Sequence, residues 1–297
     1  MIMGKGYSLR KSDERTGLLF ILPAFILLLV FVFIPMSQAF YYSFHDYMLI
    51  SGSKTFKGLN NYAALLQDRK FLNSIGHTFY FAGIVIPVQT AIALGLALLV
   101  KPRYPYTGYF RTAFFVPVVI STAVAGTVFK LIYNRDYGLL NTLLGVFGTP
   151  KISLLSNPDI AMNGVIILGI WKAAGFFMIV YLAGLNNIPQ DLYESARVDG
   201  ASKIKQFFYI TLPLLKRTTA FIIIITTIDA IKLSAIVFVL TQGGPNSSTE
   251  TIVYFIYQQA FEQMQTGYAS AAAFILFFMI LLISVIQMIF LRSKVNY

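Results

Sequence analysis

Six long apolar runs, each with few or no charged residues, constrain this 297-residue chain more than any other feature. A run of about 18 or more apolar residues can cross the hydrocarbon core of a bilayer as a helix. A closed barrel is the only other solution in lipid, and its weak alternating pattern is not seen here. We therefore predict one all-α integral membrane domain over residues 1–297, with six transmembrane helices near 17–43, 75–100, 111–130, 160–185, 218–240 and 268–291.

Composition supports a membrane protein and argues against other classes. Hydrophobic residues make up 57% of the chain and charged residues 12%, against about 25% charged residues in soluble domains. The net charge of +11 does not indicate nucleic-acid binding, because the basic residues cluster in alternate loops. The chain has no Cys, which excludes disulfides and thiolate metal sites, and its two His residues argue against a His-rich metal site. We predict no metal and no cofactor for the chain itself.

The distribution of Lys and Arg predicts an orientation in the membrane. These residues are denser before the first run and after the second, fourth and sixth runs than in the other loops, and residues 241–267 contain none. Basic residues accumulate in cytoplasmic loops. The pattern therefore places both termini and the loop at 188–217 in the cytoplasm.

The loop at 188–217 carries its own helical signals. Pro189 suits the first turn of a helix, and Asp191 and Glu194 lie near the positive end of that helix. We predict a short helix over 192–198, a break at Asp199 and Gly200, and a second helix over 201–210. On these signals alone, an ordinary amphipathic surface loop remains an equally good interpretation.

A specific resemblance favours a functional loop. Glu194, Ala196, Gly200 and then Ile210, Leu212 and Pro213 match the "EAA" loop of bacterial ABC-importer permeases, with Ser195 in place of the first Ala. Arg217 stands where many relatives have a further Pro. The resemblance implies that a short coupling helix contacts an ATPase subunit through Glu194, Ser195, Ala196, Asp199, Gly200 and Ala201.

Other stretches extend the resemblance over nearly the whole chain. Residues 22–44, 56–62 and 240–245, the last reading Leu-Thr-Gln-Gly-Gly-Pro, resemble carbohydrate permeases of the maltose-transporter type. The resemblance implies a type I ABC-importer permease fold in a bacterial cell membrane. It also implies a heterodimer with a second permease, two ATPase subunits that bind ATP and Mg²⁺, and an extracytoplasmic sugar-binding protein.

The same resemblance suggests which residues line a sugar pathway. The family's sugar-contacting positions fall on Val118 and Thr122 in the third run, on Lys172, Ala173 and Phe176 in the fourth, and on Ile231 and Lys232 in the fifth. The intramembrane charges leave three interpretations open, because a charge in the bilayer faces a cavity, pairs with another charge, or snorkels. The first interpretation is that these charges line a pore. The second is that Asp229 and Lys232, at i and i+3, form a structural ion pair, and the third is that Lys172 snorkels toward the membrane surface.

Two other function classes compete with an importer subunit. A self-contained secondary carrier for a small polar solute would favour internal repeats and helices broken by Gly or Pro in both halves, and no repeat is visible. An intramembrane enzyme would need a nucleophile with a base, or metal ligands, within the runs, and no such set occurs. The chain also lacks a phosphate-binding G-x-x-x-x-G-K-[ST] loop, so we predict no catalytic activity of its own.

Overall fold

The computed structural model describes residues 6–48, 52–101 and 106–291, with described side chains beginning at residue 16. The cytoplasmic assignment of the C-terminus rests partly on Arg292 and Lys294, which lie outside the described residues. The described part is mainly helical, and its first elements are α1 (Gly6–Leu28), a π-helical turn (Leu29–Phe33), α2 (Ile34–Ser43), β1 (His45–Tyr47), β2 (Lys54–Phe56), α3 (Asn60–Gln67) and α4 (Arg69–Val100).

The remaining elements are again helices. They are α5 (Thr107–Val119), α6 (Thr122–Ile132), α7 (Leu139–Val146), α8 (Ala161–Asn186), α9 (Gln190–Val198), α10 (Lys203–Gln206), a π-helical turn (Phe207–Thr211), α11 (Leu212–Leu214), α12 (Lys216–Ile231), α13 (Ala235–Leu240), α14 (Ile252–Tyr257), a π-helical turn (Gln258–Glu262) and α15 (Thr266–Leu291).

Four to six of these segments can cross a membrane. Four helical segments are long and apolar enough by themselves, namely Thr16–Ser43, Arg69–Val100, Ala161–Asn186 and Thr266–Leu291. Two bent pairs raise the number to as many as six if each pair is one span. The first, second, fourth and sixth predicted runs therefore coincide with continuous helical segments, the second beginning earlier than predicted.

The third and fifth runs are not single helices, and this part of the prediction is wrong. Helices α5 and α6 meet at 98°, because Ile120 and Ser121 adopt extended backbone angles between them. In the fifth run, α12 ends at Ile231, and residues 232–234 separate it from α13. Helix α12 is also bent by 64° from the preceding pair α10–α11. Apolar composition identified both runs but carries no information about these breaks.

Contacts divide the chain into two compact units, residues 1–65 with 258–274 and residues 66–257 with 275–297. In the first unit, β1 and β2 form an antiparallel hairpin that pairs His45 with Phe56, a local exception to the predicted all-α fold. The Asn61 amide donates to the backbone oxygens of Ser43 and His45, both at 2.9 Å. Gly267 also lies against the His45 carbonyl, where a Cβ atom would overlap it. The hairpin is thus fixed by long-range contacts.

The second unit has a core of closely packed helices. Helix α8 packs against α4 and α5, and the fully buried side chains of Tyr181 and Met178 lie in this core. Gly175 of α8 permits the closest approach, because a Cβ atom there would overlap the carbonyl oxygen of Phe114 in α5. Gly126 of α6 similarly accommodates Val239 of α13. Small residues at helix contacts allow such backbone proximity in membranes.

The loop after α13 is anchored to α4 and to the short segment between α12 and α13. Thr251 Oγ1 donates to the Leu233 carbonyl at 2.8 Å, and Ile252 N donates to Thr78 Oγ1 at 3.0 Å. The buried carboxylate of Glu250 lies 3.5 Å from Lys70 Nζ. These contacts hold the loop after α13 against α4 and against the segment that follows α12.

Candidate functional site: an intramembrane cavity and the loop at 188–217

A cavity of about 190 Å³ lies between α4, α8 and α12 in the second unit. Most of its wall is apolar and comes from residues such as Phe81, Phe177 and Leu233. Four polar side chains also line it: Gln89, Lys172, Thr226 and Asp229. Polar groups at such positions are costly unless they have partners or a functional use.

Thr226 provides the clearest unmet hydrogen-bonding group of the cavity wall. Its side chain is 2% exposed, and its hydroxyl has no hydrogen-bond partner among the described residues. The neighbouring Thr227 instead donates to the Ile223 carbonyl at 2.7 Å, as helical Thr residues commonly do. Gln89, 3% exposed, adds an amide to the same wall. The wall can therefore hydrogen-bond a polar guest.

Lys172 links the cavity to the break between α5 and α6. Its ammonium donates to the backbone oxygen of Ile120 at 2.6 Å and lies 3.5 Å from that of Pro117. Both carbonyls belong to the C-terminal end of α5, where carbonyls lack helical partners and the helix dipole is negative. The ammonium thus caps α5. Gly175, one turn later in α8, contacts α5 on the same side.

The predicted pathway residues occupy several environments. Lys172 and Ala173 line the cavity. Ile231 is 1% exposed and does not line it, whereas its neighbour Ala230 does. Phe176 is 44% exposed and packs edge-on against Phe177, and Phe177 is the ring that lines the cavity. The other three predicted residues do not line the cavity. Val118 and Thr122 are half-buried on either side of the break between α5 and α6, and Lys232 is exposed.

Asp229 and Lys232 do not form the structural pair that the sequence allowed. The described residues contain no ion pair between them. Lys232 caps the end of α12, its amide donating to the Ile228 carbonyl, and its side chain is exposed. Asp229 instead lines the cavity.

Gln89 and Thr226 line the cavity but were missed as site residues in the sequence analysis. A Gln within the second apolar run is nevertheless the kind of intramembrane polar residue that marks a pathway.

The loop at 188–217 forms the predicted helix, turn and helix. Helix α9 begins after Pro189, two residues earlier than predicted, and ends at Val198. Gly200 has φ = +74°, a left-handed conformation that favours glycine. The second helix begins later than predicted, because Ser202 caps α10 by accepting a hydrogen bond from Lys205 N at 3.4 Å. It continues through the π-helical turn over Phe207–Thr211.

Side-chain contacts hold this loop together while leaving one surface open. Tyr193 Oη lies 2.9 Å from Thr211 Oγ1, and Lys101 Nζ lies 4.6 Å from the centre of the Tyr193 ring. Val198 is 88% exposed. Glu194 pairs with Arg197 at 3.6 Å, but both side chains are largely exposed, so the pair contributes little stability. The exposed part comprises Glu194, Ser195, Asp199 and Gly200, with Ala196 and Ala201 half-buried.

Comparison with known proteins identifies the family. Residues 63–295 match the family described as "Binding-protein-dependent transport system inner membrane component". This chain belongs to that family. The permease is 36% identical over 279 residues to the probable ABC transporter permease protein YurN of Bacillus subtilis, covering 93% of this chain and 95% of that protein. The predicted kinship with ABC-importer permeases is confirmed.

Further relatives of this permease are carbohydrate-transport proteins by name. It is 33% identical over 280 residues to the trehalose/maltose transport system permease protein MalF of Thermococcus litoralis, covering 94% and 95% of the two chains. It also aligns with the crystal structure of a bacterial ABC transporter involved in the import of the acidic polysaccharide alginate. That alignment has a TM-score of 0.85 at 25% identity and covers 97% of this chain and 100% of the other. A related structure of that transporter contains an alginate pentasaccharide-bound periplasmic protein.

Proposed function

We propose that this permease is a membrane-spanning subunit of an ABC importer for a sugar or oligosaccharide. The observation that carries the proposal is the cavity between α4, α8 and α12, where hydrogen-bonding groups from three helices line an otherwise apolar wall. Such a wall suits a guest with many hydroxyl groups and apolar ring faces. The names of the trehalose/maltose and alginate relatives support a carbohydrate. Family membership favours this role over a self-contained secondary carrier.

The pathway would be completed by a second permease in a heterodimer. Val118, Thr122, Phe176 and Lys232 are half-buried or exposed in the single chain, so they are available to face such a partner. Lys172 and Ala173 belong to the cavity wall itself. Ile231 lies behind that wall and would shape it by packing, without touching the sugar.

Energy would come from two partner ATPases that bind ATP and Mg²⁺. Helix α9 would be the cytoplasmic coupling helix, with Glu194, Ser195, Ala196, Asp199, Gly200 and Ala201 forming its contact surface. The small residues permit close approach, and Glu194 offers a carboxylate to a basic residue of the ATPase. The left-handed turn at Gly200 makes the element compact, as transmission of movement requires.

The membrane arrangement follows from the same assignment. We propose six spans in a bacterial cell membrane, with both bent pairs counted as spans, both termini in the cytoplasm, and residues 1–297 forming one permease domain. A separate sugar-binding protein would deliver the substrate on the outer side, in keeping with the periplasmic protein in the alginate transporter structure.

Reconstitution tests this function directly. The permease would be purified with its second permease and ATPases and placed in proteoliposomes with the cognate binding protein and a panel of sugars. We expect ATP-dependent sugar uptake that requires the binding protein. Uptake driven by an ion gradient without ATP would support the secondary carrier, and the absence of uptake for every carbohydrate would contradict the proposal.

A further inference from the structure

The charged side chains that line the cavity bear on whether it accepts neutral or acidic sugars. The relatives include transporters for neutral trehalose and maltose and for the acidic polysaccharide alginate, so relationship alone leaves the charge of the substrate open. Two ionisable side chains line the cavity in the described part of the chain, Lys172 and Asp229. Their other contacts determine what each can offer to a guest.

The positive charge of Lys172 is already engaged by the protein. Its ammonium is 2.6 Å from the Ile120 oxygen and 3.5 Å from the Pro117 oxygen. An ammonium has three donor protons, and these two acceptors occupy the directions toward the end of α5. The negative end of the α5 dipole offsets part of its charge. An anionic sugar could therefore use only the third donor proton of Lys172, unless it displaced the cap of α5.

The remaining polar groups of the wall suit hydroxyl groups. Asp229 forms no ion pair in the part of the chain that is described, and it can accept hydrogen bonds from two hydroxyls. Thr226 and Gln89 can each donate and accept. The Thr226 hydroxyl has no protein partner among the described residues. Together these groups form an acceptor-rich wall with donors on α4 and α12.

We infer that this cavity selects neutral, hydroxyl-rich sugars and disfavours anionic ones, with Asp229 as the residue that determines charge selectivity. The inference rests on the proposed sugar-import function. Asp229 is exposed in the single chain and lines the cavity, so a carboxylate, phosphate or sulfonate on a sugar bound there would meet its carboxylate at short range, where like charges repel. A neutral sugar would instead donate hydrogen bonds from its hydroxyl groups to Asp229.

Lys232 is the cation that could oppose this selection. It lies one turn beyond Asp229, but its side chain is exposed and does not line the cavity. Both side chains are exposed in the single chain, so solvent screens both charges, and the difference between them is that Asp229 lines the cavity whereas Lys232 does not. The Lys232→Met variant therefore belongs in the test, because a cation that attracts the substrate would change charge selectivity when it is removed.

The experiment uses the complete transporter in proteoliposomes with saturating binding protein. Binding of neutral oligosaccharides and of uronic, phosphorylated and sulfonated sugars to the binding protein is measured first, followed by ATP-dependent uptake of every sugar that binds. We expect neutral sugars to be carried. The Asp229→Asn variant should reduce neutral-sugar uptake by about tenfold, the effect expected on loss of a charge-assisted hydrogen bond. Asp229→Glu should retain most of the uptake.

Two controls separate charge selection from general damage. Asp159→Asn removes a carboxylate from an exposed loop residue outside the cavity and should leave uptake unchanged. Lys172→Met should reduce uptake of every sugar to the same extent and lower the amount of assembled transporter. Where both sugar classes bind the binding protein, Asp229→Asn should raise the ratio of acidic to neutral uptake at least several-fold.

Several results would overturn the inference without affecting the proposed function. They are uptake of acidic sugars only, equal uptake of both classes by the wild type, or undiminished neutral-sugar uptake by Asp229→Asn. A loss of acidic-sugar uptake confined to Lys232→Met would overturn it too, and would assign charge recognition to Lys232. Failure of all sugars to be carried would instead contradict the importer function itself.

Discussion

Lys172 Nζ donates a hydrogen bond of 2.6 Å to the backbone oxygen of Ile120, joining α8 to the break between α5 and α6. Removing the charge should leave the carbonyls at the end of α5 without this partner. We expect Lys172→Met to destabilise the protein by about 1.5–3 kcal/mol, the usual range for hydrogen bonds to charged groups. Thermal unfolding in detergent would measure this loss.

Lys130, in α6, provides a control for the Lys172→Met change. Lys130 is exposed in the last turn of α6, so Lys130→Met should change stability by less than about 1 kcal/mol. Lys172→Arg should retain part of the stability, because guanidinium can still donate to carbonyl oxygens. Equal stability of Lys172→Met and the wild type would show that the carbonyls find other partners.

Replacing Gly175 or Gly83 by alanine should change the stability of the protein in different directions. A Cβ atom at Gly175 would overlap the Phe114 carbonyl, whereas nothing lies within 4 Å of the corresponding position at Gly83. We expect Gly175→Ala to separate α8 from α5 and to destabilise the protein by about 1–3 kcal/mol, as overpacking does. Gly83→Ala, within α4, should be neutral or stabilising by up to about 1 kcal/mol. Unfolding temperatures of the two variants compare the effects directly.

We expect coupling between the permease and the proposed ATPase partners to require the backbone conformation of Gly200. Its φ of +74° is strained for a β-branched residue, so Gly200→Val should distort the turn between α9 and α10. Sugar uptake and ATPase activity stimulated by the binding protein should fall together, while membrane insertion remains normal. Gly200→Asn should preserve more coupling, because Asn tolerates this conformation. Undiminished coupling in the Val variant would refute the role of this turn.

The side of the membrane on which the loop at 188–217 lies can be measured with single introduced cysteines, because the chain contains no cysteine of its own. Ser195→Cys lies on the exposed part of α9 and should react with a membrane-impermeant maleimide only from the cytoplasmic side. Asp136→Cys, in an exposed segment between the third and fourth spans, should react from the opposite side. The reverse labelling pattern would invert the proposed topology.

Phe176 and Phe177 are adjacent but face different surroundings. Phe177 is 2% exposed in the cavity wall and core, so Phe177→Ala should destabilise the protein by about 3–5 kcal/mol. Phe176 is 44% exposed, and Phe176→Ala should cost much less stability. We expect Phe176→Ala to impair sugar uptake without loss of assembly, if its ring faces the pathway at the second permease. Normal uptake by an assembled Phe176→Ala transporter would exclude this residue from the pathway.

Local patterns of residues were enough to predict several features of the fold. Apolar runs predicted the continuous helical segments around α4, α8 and α15, because each segment must satisfy its own backbone in lipid. The turn at Gly200 was predictable for a similar reason, since its signal is a single residue that permits positive φ. The family was also recognisable from the short pattern from Glu194 to Pro213.

The positions of the helix breaks, and the set of polar groups that share a cavity, depend instead on contacts between residues far apart in the chain. The break at Ile120 contains no glycine, and the cap that stabilises it comes from Lys172, 52 positions away in the chain. Gln89, Thr226 and Asp229 meet because α4 packs on α8 and α12, and no spacing within one helix records that contact. The same packing buries Ile231 and turns Ala230 toward the cavity, since neighbouring residues on a helix face different directions.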